Sequence, residues 1–121
     1  PKLEERPEQP ADSEPRILDH DEGLRLAAGK ADLAQEMLDM LMQSLPGDRE
    51  QIEQSYRAGN TDALLETVHR LHGATRYCGV PELRRRCLQA ETRLKEKAPC
   101  GEEIERLLEA VDRLQGSLSV L

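Results

Sequence analysis

From Leu33 to Leu118 the apolar residues recur at spacings of three and four, interrupted by Gly and Pro at a few points. Such spacing lays one apolar stripe along an α-helix, whereas a half-buried strand needs alternation. The chain has no Trp, no Phe and two Tyr, Tyr56 and Tyr77, so a core has to be assembled from Leu, Ala, Val, Ile and Met. That inventory suits helices better than sheets, which draw on aromatic and β-branched residues. At 121 residues the chain has the length of a single domain. It can bury a core without help from disulfides or a structural metal.

The opening stretch PKLEERPEQPADSEP holds four Pro and five acidic side chains against one large apolar residue, Leu3. Ordering it would cost more entropy than its burial returns. Residues 1–16 are therefore expected to be a flexible linker or tail, and 17–121 the folded domain. Asp19 to Ala28 reads as a short helix stopped at Gly29. Leu33, Met37, Leu38, Met40, Leu41 and Leu45 mark a second helix. Pro46-Gly47-Asp48 is expected either to break it or to kink it, the kinked helix then continuing to Gly59-Asn60 because Ile52 and Tyr56 stay in register beyond. Asn60 or Thr61 caps the next helix, whose stripe is Leu64, Leu65, Val68, Leu71 and Thr75. Gly79 is expected to close that helix as a C-terminal cap.

Pro81 suits the first turn of the following helix, with Val80, Leu83, Cys87, Ala90 and Leu94 turned inward. After a loop over residues 97–101, Ile104, Leu107, Leu108, Val111, Leu114 and Leu118 mark the last helix. Short connections between helices of similar length favour antiparallel neighbours. The expected fold is all-α: an antiparallel up-and-down four-helix bundle with one or two additional N-terminal helices. One such bundle buries its own stripes, so a monomer is expected.

The formal net charge of −7 argues against a nucleic-acid binder, because affinity for phosphate backbones comes from Lys and Arg. The scarcity of aromatics removes a base-stacking surface as well. No apolar run approaches the roughly 18 residues that span a bilayer, and none reads as a signal peptide, so no direct membrane contact is expected. Cys78, Cys87 and Cys100 make an odd count without a Cys-x-x-Cys pair. Three reduced thiols in the cytoplasm is the simplest reading. The average charge conceals a pattern. Residues 69–97 carry eight basic and three acidic side chains, whereas 1–68 carry seven and sixteen and 98–121 two and five.

That basic segment contains His69-Arg70-Leu71-His72-Gly73-Ala74. On a helical wheel His69 lies roughly 110° from the centre of the apolar stripe, Gly73 roughly 150° and His72 roughly 50°. His69, His72, Gly73 and Arg76 thus run along one flank expected to face solvent. An unprotonated imidazole is a nucleophile. Gly73 costs about 1 kcal/mol relative to Ala in a helix interior, and a gap there lets a partner approach the His69 ring. His72 and Arg76 are placed to donate to anionic oxygens on His69. Three plainer readings stay open. The pair is an ordinary solvated face; or it binds a transition metal with Cys78 or Cys87; or Gly73 permits close helix packing. Leu88, off the stripe of its helix, is a candidate docking contact, as are Arg70 and one or two of Arg84, Arg85 and Arg86.

The run Val68-His69-Arg70-Leu71-His72-Gly73-Ala74, followed by Tyr77-Cys78-Gly79-Val80-Pro81, resembles the signature of histidine-containing phosphotransfer (HPt) domains. Their usual pattern is His-x-Leu-Lys-Gly-Ser/Ala, then a Gly and a second helix. The likeness is most specific to the C-terminal HPt domain of BarA/GacS-type hybrid sensor kinases, where His commonly stands in place of the Lys. It covers residues 17–118. The resemblance implies that His69 is the phosphoacceptor, that His72 contacts the phosphoryl oxygens and that Gly73 opens the surface. It further implies a carrier without a kinase site, metal or cofactor of its own. Its partners would be an intramolecular receiver domain and a separate response regulator, each bringing Mg²⁺, with Arg70, Arg76, Arg84 and Leu88 as candidate contacts. The setting it implies is the cytosolic part of an inner-membrane sensor kinase. A non-catalytic helical adaptor is the competing expectation.

Overall fold

The computed structural model describes residues 15–118, so residues 1–14 of the expected 1–16 tail lie outside the described residues, while the Arg16 carbonyl at its end accepts from the Glu82 amide at 3.0 Å. Among the described residues five helices follow in order: α1 (His20–Leu26), α2 (Ala31–Ala58), α3 (Thr61–Thr75), α4 (Pro81–Lys95) and α5 (Gly101–Leu118). Helices α2 to α5 close a ring in which α2 packs on α3 and α5, and α4 on α3 and α5, with α1 against α2. The expected all-α bundle of four antiparallel helices with one short N-terminal addition is what forms. Leu41, Leu45, Ile52, Val68, Leu71, Leu83, Leu107 and Leu114 are among the buried residues of its one aliphatic core. No helix among the described residues is long and apolar enough to cross a membrane.

Local signals account for most boundaries. Asp19 caps α1 by accepting from the Glu22 amide at 3.0 Å, and Asn60 caps α3 by accepting from Ala63 at 3.1 Å. Gly59, at φ 69°, ends α2 in the left-handed conformation. Pro81 opens α4, where its missing N–H removes nothing.

Of the two outcomes expected at Pro46, a break or a continuation in register, the helix continues: α2 runs through Pro46 for 28 residues. Proline costs a helix one hydrogen bond, but Pro46 and Gly47 lie on the exposed face while Leu45 and Ile52 on either side are fully buried. Core contacts on both flanks hold the helix together across the defect. One expectation fails: Gly79 does not cap α3. That helix ends at Thr75, with Arg76 following at φ −70°. The Arg84 guanidinium donates to the Thr75 carbonyl at 2.9 Å and the Cys78 carbonyl at 3.1 Å, satisfying acceptors near the helix end that a left-handed glycine would otherwise help to cover. Gly79 is instead a point of close approach. Its carbonyl accepts from the Asp19 amide at 2.8 Å, and a Cβ there would overlap the Asp19 carbonyl.

Candidate functional site

The His69 side chain stands on the α3 surface with 66% of its area exposed. Its Nδ1 lies 2.5 Å from one oxygen of Glu91, and Nδ1 of His72 lies 2.7 Å from the other. Lys95 Nζ adds a third contact at 3.1 Å, on the oxygen that His69 uses. Glu91 sits on α4 one turn beyond Cys87 and just before Leu94, both buried, so the packing of α4 on α3 carries its carboxylate under the two imidazoles. Only 6% of the Glu91 side chain is exposed.

The electrostatics assign the protons. Burial pushes the Glu91 carboxyl up. Hydrogen bonds from His69, His72 and Lys95, and the charge of Lys95, outweigh that and hold it at about 2. Glu91 is therefore ionised near neutral pH and can only accept, so each Nδ1 carries the donated proton. In a neutral His69 the lone pair then sits on Nε2, the ring nitrogen remote from Glu91.

His72 departs from the expected solvent flank. It is 8% exposed, and its ring is turned onto Glu91. The Thr75 hydroxyl holds its backbone carbonyl at 2.6 Å. Gly73 fits its expected place, since a Cβ there would meet nothing within 4 Å. It fills no internal packing slot, which removes the close-packing reading. Arg70 reaches across to Asp48 on α2 at 3.2 Å while staying 60% exposed. Arg76 is exposed. Leu88 is 52% exposed, one turn before Glu91.

Arg84 is a correction. Besides the two carbonyls, it binds Glu22 of α1 at 2.5 Å and is half-buried, so its charge is consumed inside the molecule. As for metal ligands, Cys87 is fully buried and Cys78 gives its thiol to the Met37 carbonyl. Among the described residues no three His, Cys, Asp or Glu side chains cluster as metal ligands would. Glu91 and Lys95 are the site residues that sequence reasoning missed. The available signal was an acid inside the apolar stripe of its helix, between Cys87 and Leu94.

Three comparisons bear on this arrangement. Residues 36–117 match the family described as Hpt domain. The chain is 56% identical over 108 residues to the sensor protein GacS of Pseudomonas syringae pv. syringae, covering 88% of this chain and 12% of that protein. It is 37% identical over 97 residues to the signal transduction histidine-protein kinase BarA of Escherichia coli K12, covering 80% of this chain and 11% of that one. The chain thus spans about an eighth of the length of the curated relatives it matches. In structure it resembles the crystallographic HPT domain of a hybrid sensor histidine kinase from Shewanella, with a TM-score of 0.81 and 37% identity, covering 85% of this chain and 91% of that one.

Proposed function

Because this chain belongs to the Hpt domain family, we propose that it is a phosphorelay intermediate in two-component signalling, with His69 as the residue that takes and passes on the phosphoryl group. One observation carries the assignment: His69 is exposed while its Nδ1 is held by a buried carboxylate, which leaves Nε2 as the nucleophile. In the forward step Nε2 attacks the phosphorus of a receiver's aspartyl phosphate. The N–P bond forms, the P–O bond to the aspartate breaks, and the aspartate leaves with the electron pair. The Nδ1 proton stays in its hydrogen bond to Glu91, which stabilises the positive charge the phosphorylated ring acquires. The reverse sequence delivers the group to the aspartate of a second receiver.

The remaining residues have supporting roles in this reading. Gly73 leaves room beside the ring. Arg70, Arg76 and Leu88 offer charge and apolar surface to an acidic receiver. With its Nδ1–H given to Glu91, a neutral His72 has no proton on Nε2. It contacts a phosphoryl oxygen as a donor only when the ring carries a second proton. The chain carries phosphate rather than generating it from ATP and requires no cofactor of its own; Mg²⁺ comes with the receiver and neutralises phosphoryl oxygens there.

The test is incubation with a ³²P-labelled receiver. The wild-type domain is expected to gain acid-labile phosphate and His69→Ala to gain none. Equal labelling would remove His69 as the acceptor. Tight receiver binding with no labelling of the wild type would establish an adaptor instead.

A further inference from the structure

An open cleft of about 750 Å³ lies at one end of the bundle, between the end of α2, the first turns of α3 and the α4–α5 connection. Leu65, Ala98 and Pro99 form an apolar wall over the buried core residues Leu64 and Leu94, and Lys95 and Lys97 are the cationic lining residues beside the single acid Asp62. The volume lies in the range of small-molecule sites, which pair apolar walls with a few placed polar groups.

Lys97 is the unusual member. Its backbone sits at φ 57°, in the left-handed region that favours glycine. The Lys97 amide donates to Leu94 and the Ala98 amide to Arg93, the pattern of a helix end whose left-handed position is usually Gly. A lysine there is a backbone cost, and its ammonium makes no ion pair among the described residues. Lys95, by contrast, is tied to the Glu91 oxygen that holds His69. One wall of the cleft is therefore part of the histidine network.

We propose that this cleft binds a small apolar carboxylate, its hydrocarbon body against Leu65, Ala98 and Pro99 and its carboxylate between Lys95 and Lys97. Two cations beside an apolar floor select one anionic head on an apolar body, over a neutral or cationic molecule of the same shape. Occupancy draws Lys95 from Glu91. Relieved of one donor, Glu91 becomes a stronger acceptor for the His69 N–H, and Nε2 a better nucleophile. That consequence rests on the phosphotransfer reading, whereas the binding does not.

The test is an amide-shift titration of the ¹⁵N-labelled protein with sodium octanoate, 1-octanol and octyltrimethylammonium. Saturable shifts at Leu64, Leu65, Ala98 and Gly101 are expected with octanoate. Octanol should bind about tenfold more weakly and the ammonium not measurably. Lys97→Gly relieves the backbone while deleting the charge, so it is expected to melt roughly 2–5 °C higher yet bind octanoate about tenfold more weakly. No saturable shift, equal affinity for octanol and octanoate, or undiminished binding by Lys97→Gly would overturn the site. A dimer that buries the cleft would overturn it too. For the coupling, saturating octanoate is expected to speed phosphoryl acceptance in the wild type and to leave Lys95→Gln unchanged. An equal response in both would sink that link alone. The His69→Ala assay decides the acceptor independently.

Discussion

Glu91 has two carboxylate oxygens and three donors, and the arrangement works only while it is ionised. Glutamine at this position offers one acceptor oxygen and turns an N–H₂ group toward the other imidazole. Glu91→Gln is therefore expected to slow phosphoryl acceptance about tenfold by loosening the His69 ring, measurable as the single-turnover rate from a labelled receiver. The same carboxylate links stability to pH. Its ordinary value of 4.5 falls to about 2 in the folded protein, so its contribution is present above 4.5 and is lost as pH drops toward 2. Urea unfolding is expected to show wild type well above Glu91→Gln at neutral pH, with the gap closing between pH 4.5 and 2. His69 itself was legible in the sequence because it lies off the stripe of its own helix. Glu91 was not, because its partners lie 22 and 19 residues away on α3.

Helix α2 carries Pro46 on its exposed side without ending there. Alanine at that position restores a backbone donor and removes the ring's clash with the preceding turn. Pro46→Ala is expected to raise unfolding free energy by about 1–2 kcal/mol, the helix gain less the added freedom of the unfolded chain. The connection between α3 and α4 responds in the opposite direction. Alanine at Gly79 would collide with the Asp19 carbonyl, so Gly79→Ala is expected to cost about 2 kcal/mol or more and to loosen α1, visible as faster amide exchange over residues 20–26. Element identity was legible at both places, from stripe register and capping residues. The role of Gly79 was not, since both a C-cap and a close approach call for glycine and only the position of α1 distinguishes them.

The whole molecule is a ring of four helices pinned at its rim by ion pairs. Arg49–Asp112 joins α2 to α5, Arg70–Asp48 joins α3 to α2, and Arg113–Glu82 joins α5 to α4. Arg70–Asp48 is a single, partly exposed contact and contributes little, whereas Arg49 grips Asp112 with two hydrogen bonds, at 2.7 and 3.0 Å. Aliphatic burial carries the stability. The cysteines report on that burial. Cys87 is fully enclosed and its thiol is pushed up by burial, with Glu91 and Asp48 adding to the effect, whereas Cys100 lines the cleft and is only partly buried. Thiol labelling is expected to modify Cys100 first and Cys87 only at the rate of global unfolding. Early labelling of Cys87 would show that the core opens locally.

The sequence by itself determined the helices, their inward faces, the bundle they build and the histidine that stands outside it. Each of those follows from spacing along a single helix, where the period of 3.6 residues translates position into direction. Tertiary structure alone decided what meets that histidine. The α3–α4 packing set Glu91 beneath two imidazoles, turned His72 inward and spent Arg84 on the Thr75 and Cys78 carbonyls and Glu22. Such contacts depend on the rotation and offset of one helix against another, and those are settled by how side chains interlock across the interface.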